Sequence, residues 1–500
     1  MPIGAELKVD GGVFASRWLG DWRDGLHPKI VASAAFLFFA CLAPAIAFGG
    51  LMSDLTGGQI GAVEMIVATA GCGVAYALLA GQPLTVLGGT GPLLIFTGVL
   101  YDLCVRLGLP FLTTYAWVGL WTALLSVLLS LFGAARLIKL FTRFTDETFG
   151  ALISLIFIVQ ALADLLANFS DPSVSDSGAL FAVLLALGTL TVAMATRALR
   201  QSRYLREWPR QFLADFGPAI AVVTMVLARR LLMEVEVNTL GMPAKFATTN
   251  GRPWTVDLFL GPAWLPFAAI APALLVTVLL YMDQNITARL INSPEHRLTK
   301  GTSYDWDFAL VGVLIAACSM FGLPWLVAAT VRSLNHVRSL TTTEVDDAGE
   351  TRIVSTRENR LSALLIHLLI AGALLLTGPL AEVPMAVLLG LFLYMGVAST
   401  VGNQLFERMQ LWVLDPKRYP STHYLRAVPT TQVHLYTFVQ SLCLAALWVV
   451  KASVAAILFP LLLAGLVLVR RLLPRLFKPA YVEVLDQEEV PADVQERLAE

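Results

Sequence analysis

Charge is scarce in this 500-residue chain: Asp, Glu, Lys and Arg make up 14% of it, against 57% hydrophobic residues and a mean hydropathy of +0.71. Soluble globular chains carry roughly 25% charged residues, so a soluble enzyme is excluded. Histidine numbers only six, and the five cysteines (Cys41, Cys72, Cys104, Cys318, Cys443) stand singly in apolar runs with no Cys-x-x-Cys. No metal-ligand cluster, redox motif, nucleophile–base pair or phosphate-cradling loop can be assembled from the polar segments. No enzyme activity, no cofactor and no metal other than Na+ are expected. No cleavable leader is expected either: residues 1–29 are mixed and polar ahead of the first apolar run, which is expected to serve as the insertion signal.

What the chain has instead is apolar sequence repeated nearly end to end. A spanning helix needs about 20 apolar residues. Such stretches fall near 30–50, 60–80, 82–105, 113–133, 149–167, 179–198, 212–232, 262–286, 306–323, 325–340, 360–380, 383–400, 431–450 and 452–472. The expected class is an all-α polytopic membrane protein of fourteen spans, with the lipid bilayer as its first partner. If the N-terminus is cytoplasmic, 28 of the 35 Lys and Arg fall on the inner side, the asymmetry that sets orientation in membranes. Both termini are therefore expected in the cytoplasm, and the protein in the plasma (inner) membrane. Basic loops such as Arg197–Arg210 read as topology determinants, and no nucleic-acid partner is expected. The polar stretches Thr341–Asn359 and Tyr481–Glu500 read as flexible connectors or tails, and 233–261 as a longer outer loop.

Two places interrupt the apolar pattern: Gly89-Thr90-Gly91-Pro92 and Ala328-Ala329-Thr330-Val331-Arg332. Each reads as an extended segment that turns into the first turn of a helix. Thr90 and Thr330 suit the N-cap, and Pro92 stands near the first helical position, where a missing N–H costs nothing. A helix that begins at mid-membrane points unpaired N–H groups and a positive dipole end at whatever sits there, which suits an anion. The two interruptions are the third and tenth of the fourteen stretches. They thus occupy the same place in each half of seven, and an odd number of spans per half inverts the second half relative to the first. Broken segments at matched positions of inverted halves point to a transporter binding site. Ordinary spans kinked by Gly or Pro would give the same spacing.

Thr90, Gly91, Thr330, Val331 and Arg332 are accordingly the candidate anion-binding residues. Arg332 is the only basic residue expected near mid-membrane, and a guanidinium holds a planar oxyanion through parallel hydrogen bonds. An internal pair with Asp283, or an extension toward the cytoplasm, would occupy Arg332 without a ligand. Asp283 and Thr287 stand four residues apart on one helix face; carboxylate and hydroxyl there can ligate a hard cation, and with Thr90 they form the candidate sodium site. An interfacial, solvated Asp283 is the alternative. Glu64, Asp102, Asp164, His367 and Glu382 lie near predicted span ends and read as interfacial. Lys451, at the outer start of the last span, is the candidate outer-vestibule residue, or a snorkelling anchor.

Several strings, among them Phe39-Ala-Cys-Leu-Ala-Pro-Ala-Ile-Ala-Phe-Gly-Gly50, Gly81-Gln-Pro-Leu-Thr-Val-Leu-Gly-Gly-Thr-Gly-Pro92, Leu152-Ile-Ser-Leu-Ile-Phe-Ile158 and Phe392-Leu-Tyr-Met-Gly-Val-Ala-Ser399, resemble the bicarbonate transporter family, solute carrier family 4. That family includes the anion exchangers and the sodium-bicarbonate cotransporters. The resemblance implies a seven-plus-seven inverted repeat with spans 3 and 10 as half-helices around the anion, and a homodimer formed through the gate domain. The implied parts are an N-terminal cytoplasmic segment 1–29, a core domain 30–133 and 262–380, a gate domain 134–261 and 381–480, and a cytoplasmic tail 481–500. A bacterial-type member is implied, without the large N-terminal cytoplasmic domain of most animal members. Thr90, Asp283 and Thr287 match the sodium-coupled branch, whereas Arg332 matches the chloride/bicarbonate exchangers. The expected function is secondary active transport of bicarbonate or carbonate by alternating access, favoured as sodium-coupled. Chloride exchange and transport of borate, sulfate or another inorganic anion are the alternatives; an anion channel or a non-transporting scaffold is the reading from a different class.

Overall fold

The computed structural model describes residues 4–172, 174–200, 202–231, 235–243, 246–345, 351–453 and 455–486. Helices dominate it. In chain order they are α1 Ala5–Asp24, α2 Pro28–Leu55, α3 Ala62–Leu79, α4 Gly91–Leu107, α5 Phe111–Leu131, α6 Arg143–Ala167, α7 Asp176–Leu199, α8 Glu207–Asp215, α9 Gly217–Leu231, α10 Leu265–Ala268, α11 Ile270–Ile291, α12 Tyr304–Met320, α13 Thr330–Leu340, α14 Leu361–Gly372, α15 Thr377–Ala381, α16 Met385–Thr400, α17 Gln404–Gln410, α18 His423–Ala427, α19 Thr430–Lys451, α20 Phe459–Leu472 and α21 Pro479–Asp486. Four short strands, β1 Leu87–Gly88, β2 Val327–Ala328, β3 Thr341–Val345 and β4 Thr351–Thr356, form two antiparallel pairs, β1 with β2 and β3 with β4.

Among the described residues nine helices are long and apolar enough to cross a membrane, or eleven if each of two sharply bent pairs counts as one span. The bends are 73° between Pro209–Asp215 and Gly217–Leu231, and 75° between Met385–Thr400 and Gln404–Gln410. The remaining three expected stretches carry shorter helices, α4 and α12 of 17 residues and α13 of 11. Large aliphatic side chains such as Leu184, Val223, Leu442 and Leu468 point outward and are exposed, as a lipid-facing surface requires.

The chain divides into two compact units, Met1–Arg136 with Gln160–Tyr394, and Leu137–Val159 with Met395–Glu500. In the first, small residues let helices approach closely. A Cβ at Gly49 would lie 2.4 Å from Ala62 Cα, where α2 meets α3, and one at Gly119 would lie 1.8 Å from Ser319 Oγ, where α5 meets α12. Cys72 and Cys318, apart in sequence, meet across α3 and α12 with sulfurs 3.3 Å apart. In the second unit the buried Arg408 bonds to Glu147 at 2.8 Å, Gln404 at 2.9 Å and Gln440 at 2.7 Å, so its charge is compensated where water is excluded.

One sequence-based expectation changes: within the stretch Thr341–Asn359, read as a flexible connector, Thr341–Val345 and Thr351–Thr356 pair as antiparallel strands. The polar segment 1–29 carries the 20-residue helix α1. In the tail, Pro479–Asp486 is helical, and residues 487–500 lie outside the described residues.

Candidate functional site

The chain crosses itself at the two interruptions. β1 and β2 pair antiparallel, Leu87 opposite Ala328 and Gly88 opposite Val327, and Ala329 N donates to Val86 O at 2.9 Å. α4 begins immediately after β1 and α13 immediately after β2, so both predicted strand-to-helix turns are present and adjacent. The strands are further held from the side. Ala328 N donates to Gln284 Oε1 at 3.0 Å, and Val86 N to Ser333 Oγ at 3.0 Å. Extended backbone among apolar helices needs such partners for its N–H and C=O groups.

The hydroxyls do not cap as expected. Thr90 occupies the N-cap position with extended backbone but makes no side-chain cap bond; its Oγ1 donates instead to Asp283 Oδ2 at 2.8 Å. Thr330 is the first residue of α13, Ala329 being the N-cap, and its Oγ1 lies 2.6 Å from Thr287 Oγ1. Both threonines thus turn toward α11. Asp283 and Thr287, one turn apart, face the start of α4 and the start of α13 respectively. The helix starts keep their unpaired first-turn N–H groups, since the first α-helical bonds are Leu94 N to Thr90 O and Ser333 N to Ala329 O.

Arg332, on the first turn of α13, is 8% exposed and sends Nη2 to Gly89 O at 2.6 Å. Among the described residues no ion pair joins it to Asp283. Val331 is 67% exposed. Gly91 is buried, while Thr90, Thr330 and Asp283 are half-buried. Lys451 ends α19, in the other unit, with Nζ 5.4 Å from the centroid of the Trp448 ring. Among the described residues no group of three or more His, Cys, Asp or Glu could hold a metal ion.

Two residues read as interfacial are buried. Glu64 is 0% exposed and accepts Gly61 N and Thr249 N, each at 2.9 Å, tying the segment around Thr249 to the α2–α3 turn. His367 is buried within α14. Sequence reasoning missed Gln284 and Gly88 as site components. Gln284 had a signal, the polar run Asp283-Gln284-Asn285 inside an apolar stretch; a glycine in an extended segment has none.

The family profile of the HCO3- transporter integral membrane domain matches residues 14–178 and 170–490. The chain belongs to the bicarbonate transporter family. Curated relatives include anion exchange protein 3 of Rattus norvegicus, 37% identical over 95% of this chain and 42% of the relative, and the sodium-driven chloride bicarbonate exchanger of Homo sapiens, 35% identical over 97% of this chain and 50% of the relative. The chain therefore spans about half the length of the curated relatives it matches. Among solved structures, the transmembrane domain of a cyanobacterial bicarbonate transporter, BicA, aligns with TM-score 0.59 at 15% identity, covering 84% of this chain and 97% of that one. Murine solute carrier 26 family member A9, an anion transporter in the inward-facing state, aligns with TM-score 0.54 at 12% identity, covering 89% and 68%. These two likenesses concern the fold alone. This bicarbonate transporter family member is an integral membrane protein, and its β1–β2 crossing lies inside the region the profile matches.

Proposed function

We propose that the chain is a secondary active transporter of bicarbonate or carbonate, working by alternating access around Thr90, Gly91, Thr330, Val331 and Arg332. The observation that carries this reading is the Arg332 guanidinium, 8% exposed among apolar helices with a backbone carbonyl, not a carboxylate, against it. An uncompensated charge in a bilayer is costly. A mobile oxyanion supplies the missing negative charge, and the first-turn N–H groups of α4 and α13 add their dipoles. The antiparallel β1–β2 crossing supports reading α4 and α13 as half-helices related by an inverted seven-plus-seven repeat of fourteen spans. With it go core and gate domains, a homodimer through the gate, Lys451 in the outer vestibule, and both termini on the cytoplasmic side of the plasma (inner) membrane.

Sodium coupling is the favoured mode. Asp283, Thr90 and Thr287 bring carboxylate and hydroxyl oxygens to the two helix starts, a donor set suited to a hard cation. Chloride exchange is the second reading, favoured by Arg332, because a guanidinium already provides the positive charge that sodium would bring and repels sodium in a poorly screened site. Purified protein in proteoliposomes decides between them. Uptake of labelled bicarbonate that follows an imposed sodium gradient and disappears in Asp283→Asn supports cotransport, and stimulation by trans chloride supports exchange. Non-saturating conductance or absence of flux overturns the transporter reading.

A further inference from the structure

A cavity of about 350 Å³ lies at the end of α2, lined among others by Asp54 of α2, Asp164 of α6, and Met385, Ala386 and Leu389 of α16. Asp54 is the last residue but one of α2 and is exposed, so in the orientation proposed above the cavity belongs to the outer face. On its inner side α2 and α16 touch through apolar groups. A Cβ at Gly50 would stand 3.1 Å from Leu388 Cδ1 and 3.3 Å from Met385 Cε. One turn of α16 beyond Leu389, the ring of Phe392 meets that of Phe48 edge to face, centroids 5.2 Å apart and planes at 87°, with the two residues 1% and 4% exposed. Phe48 also lies against the broken span: a Cβ at Gly89 would stand 3.3 Å from Phe48 Cγ, and Gly89 O accepts Arg332 Nη2 at 2.6 Å. The contacts thus run from the cavity through the aromatic pair to Gly89 and Arg332.

We propose that this cavity is the outer mouth of the anion path, and that Phe48 and Phe392 are the barrier between it and the site, parting when the site is offered to the outside. This rests on the reading of the site given above and deepens it. A hydrated ion passes two packed rings only by shedding its water, which is costly. The rings themselves separate without breaking a hydrogen bond, unlike the paired backbone of β1 and β2. Phe48 stands in the part read as core and Phe392 in the part read as gate, so they meet at the joint that alternating access has to open. Asp54 and Asp164 at the mouth oppose a lone anion and favour one accompanied by sodium, in keeping with the coupling favoured above.

Accessibility tests the barrier without depending on flux. Thr90→Cys puts a thiol at the site, in a Cys443→Ser chain whose other cysteines are buried, and a charged, membrane-impermeant methanethiosulfonate is added outside intact cells. Modification is expected to be slow with both rings in place and about tenfold faster in Phe392→Ala, the population shift for losing one aromatic pair. Phe48→Ala removes the other ring and is expected to act alike, so the test stands where one variant fails to reach the membrane. Phe392→Tyr, which keeps a ring, and Leu393→Ala, at a neighbour only 3% exposed, are expected to leave the slow rate unchanged. A rate unaltered by removing either ring overturns the proposal, as does an equal rise in Leu393→Ala, the mark of a general loosening of α16. Faster labelling on ring removal, in a protein whose native chain shows no bicarbonate uptake, upholds the barrier and overturns the transport reading.

Discussion

A guanidinium can lie flat against a broken span only where the neighbouring main chain carries no side chain. Gly88 meets that need: a Cβ there would stand 2.1 Å from Arg332 Nη1 and 2.6 Å from Cζ. The far end of an arginine can swing away, so Gly88→Ala should displace the guanidinium rather than unfold the crossing. The expected outcome is a several-fold weaker anion effect on thermal unfolding with the anion-free melting temperature nearly unchanged; a large drop in the latter would mean that the glycine serves packing alone. Arg332→Ser is expected to fold, to bind the anion more weakly, and to make uptake depend more strictly on sodium, because the only buried positive charge at the site is then the one sodium brings. Unchanged kinetics and sodium dependence in proteoliposomes would refute that role. Thr90, Gly91, Thr330 and Arg332 were legible in the sequence because polar, helix-starting residues in the middle of an apolar run mark a span that breaks and restarts there. His367 was not: a single histidine near a span end reads as interfacial, and only the packing of α14 on α3 and α2 buries it.

At the scale of elements, the two strand-to-helix turns were legible and helix α1 was not. Its two central glycines, Gly11 and Gly12, lower helix propensity, and its buried residues are charged, Arg17 and Asp21, so no apolar stripe announces it. Tertiary partners hold it instead. Asp21 pairs with Arg360 at 3.0 Å, both side chains 0% exposed, and with Lys300 at 2.8 Å, while Asp10 accepts Asp305 N at 2.9 Å at the start of α12. Removing one partner of a buried ion pair costs about 3–5 kcal/mol, whereas an exposed pair contributes about 0–1 kcal/mol. Asp21→Asn is therefore expected to lower the melting temperature in detergent markedly. Asp24→Asn, at the 48% exposed partner of Lys300, should shift it little; equal shifts would show that α1 is not held through Asp21. Burial pushes the Lys300 ammonium pKa down, but its bonds to Asp21 and Asp24 outweigh that and raise it. The stability it contributes is complete below the ordinary lysine value and is lost as pH rises through the raised one, so alkaline melting curves of Lys300→Met should lack that step. The β3–β4 pair carried a visible signal in its Thr-, Val- and Ile-rich strands, hidden by the polar sequence around them.

For the whole molecule, composition alone gave the membrane class, because 14% charged residues cannot clothe a water-exposed surface. The count of spans was less legible: α4 and α12 have 17 residues and α13 only 11, short of the about 20 of a typical crossing, and two further stretches bend by more than 70°. Orientation is the property on which every assignment of an inner or outer residue depends, and the orientation proposed rests on the 28 of 35 Lys and Arg that a cytoplasmic N-terminus would place inside. It can be measured directly. Cys41, Cys72, Cys104 and Cys318 are buried and Cys443 half-buried, so the background for thiol labelling is low, and Cys443→Ser lowers it further. Ser170, after α6, and Ser421, before α18, are both exposed. Ser170→Cys should react with a membrane-impermeant maleimide on intact cells, and Ser421→Cys only once the membrane is opened. The reverse pattern would place the arginine-rich segment 197–210 outside, where the anionic inner leaflet could no longer hold it, and would exchange the sides from which α4 and α13 are approached by their ions.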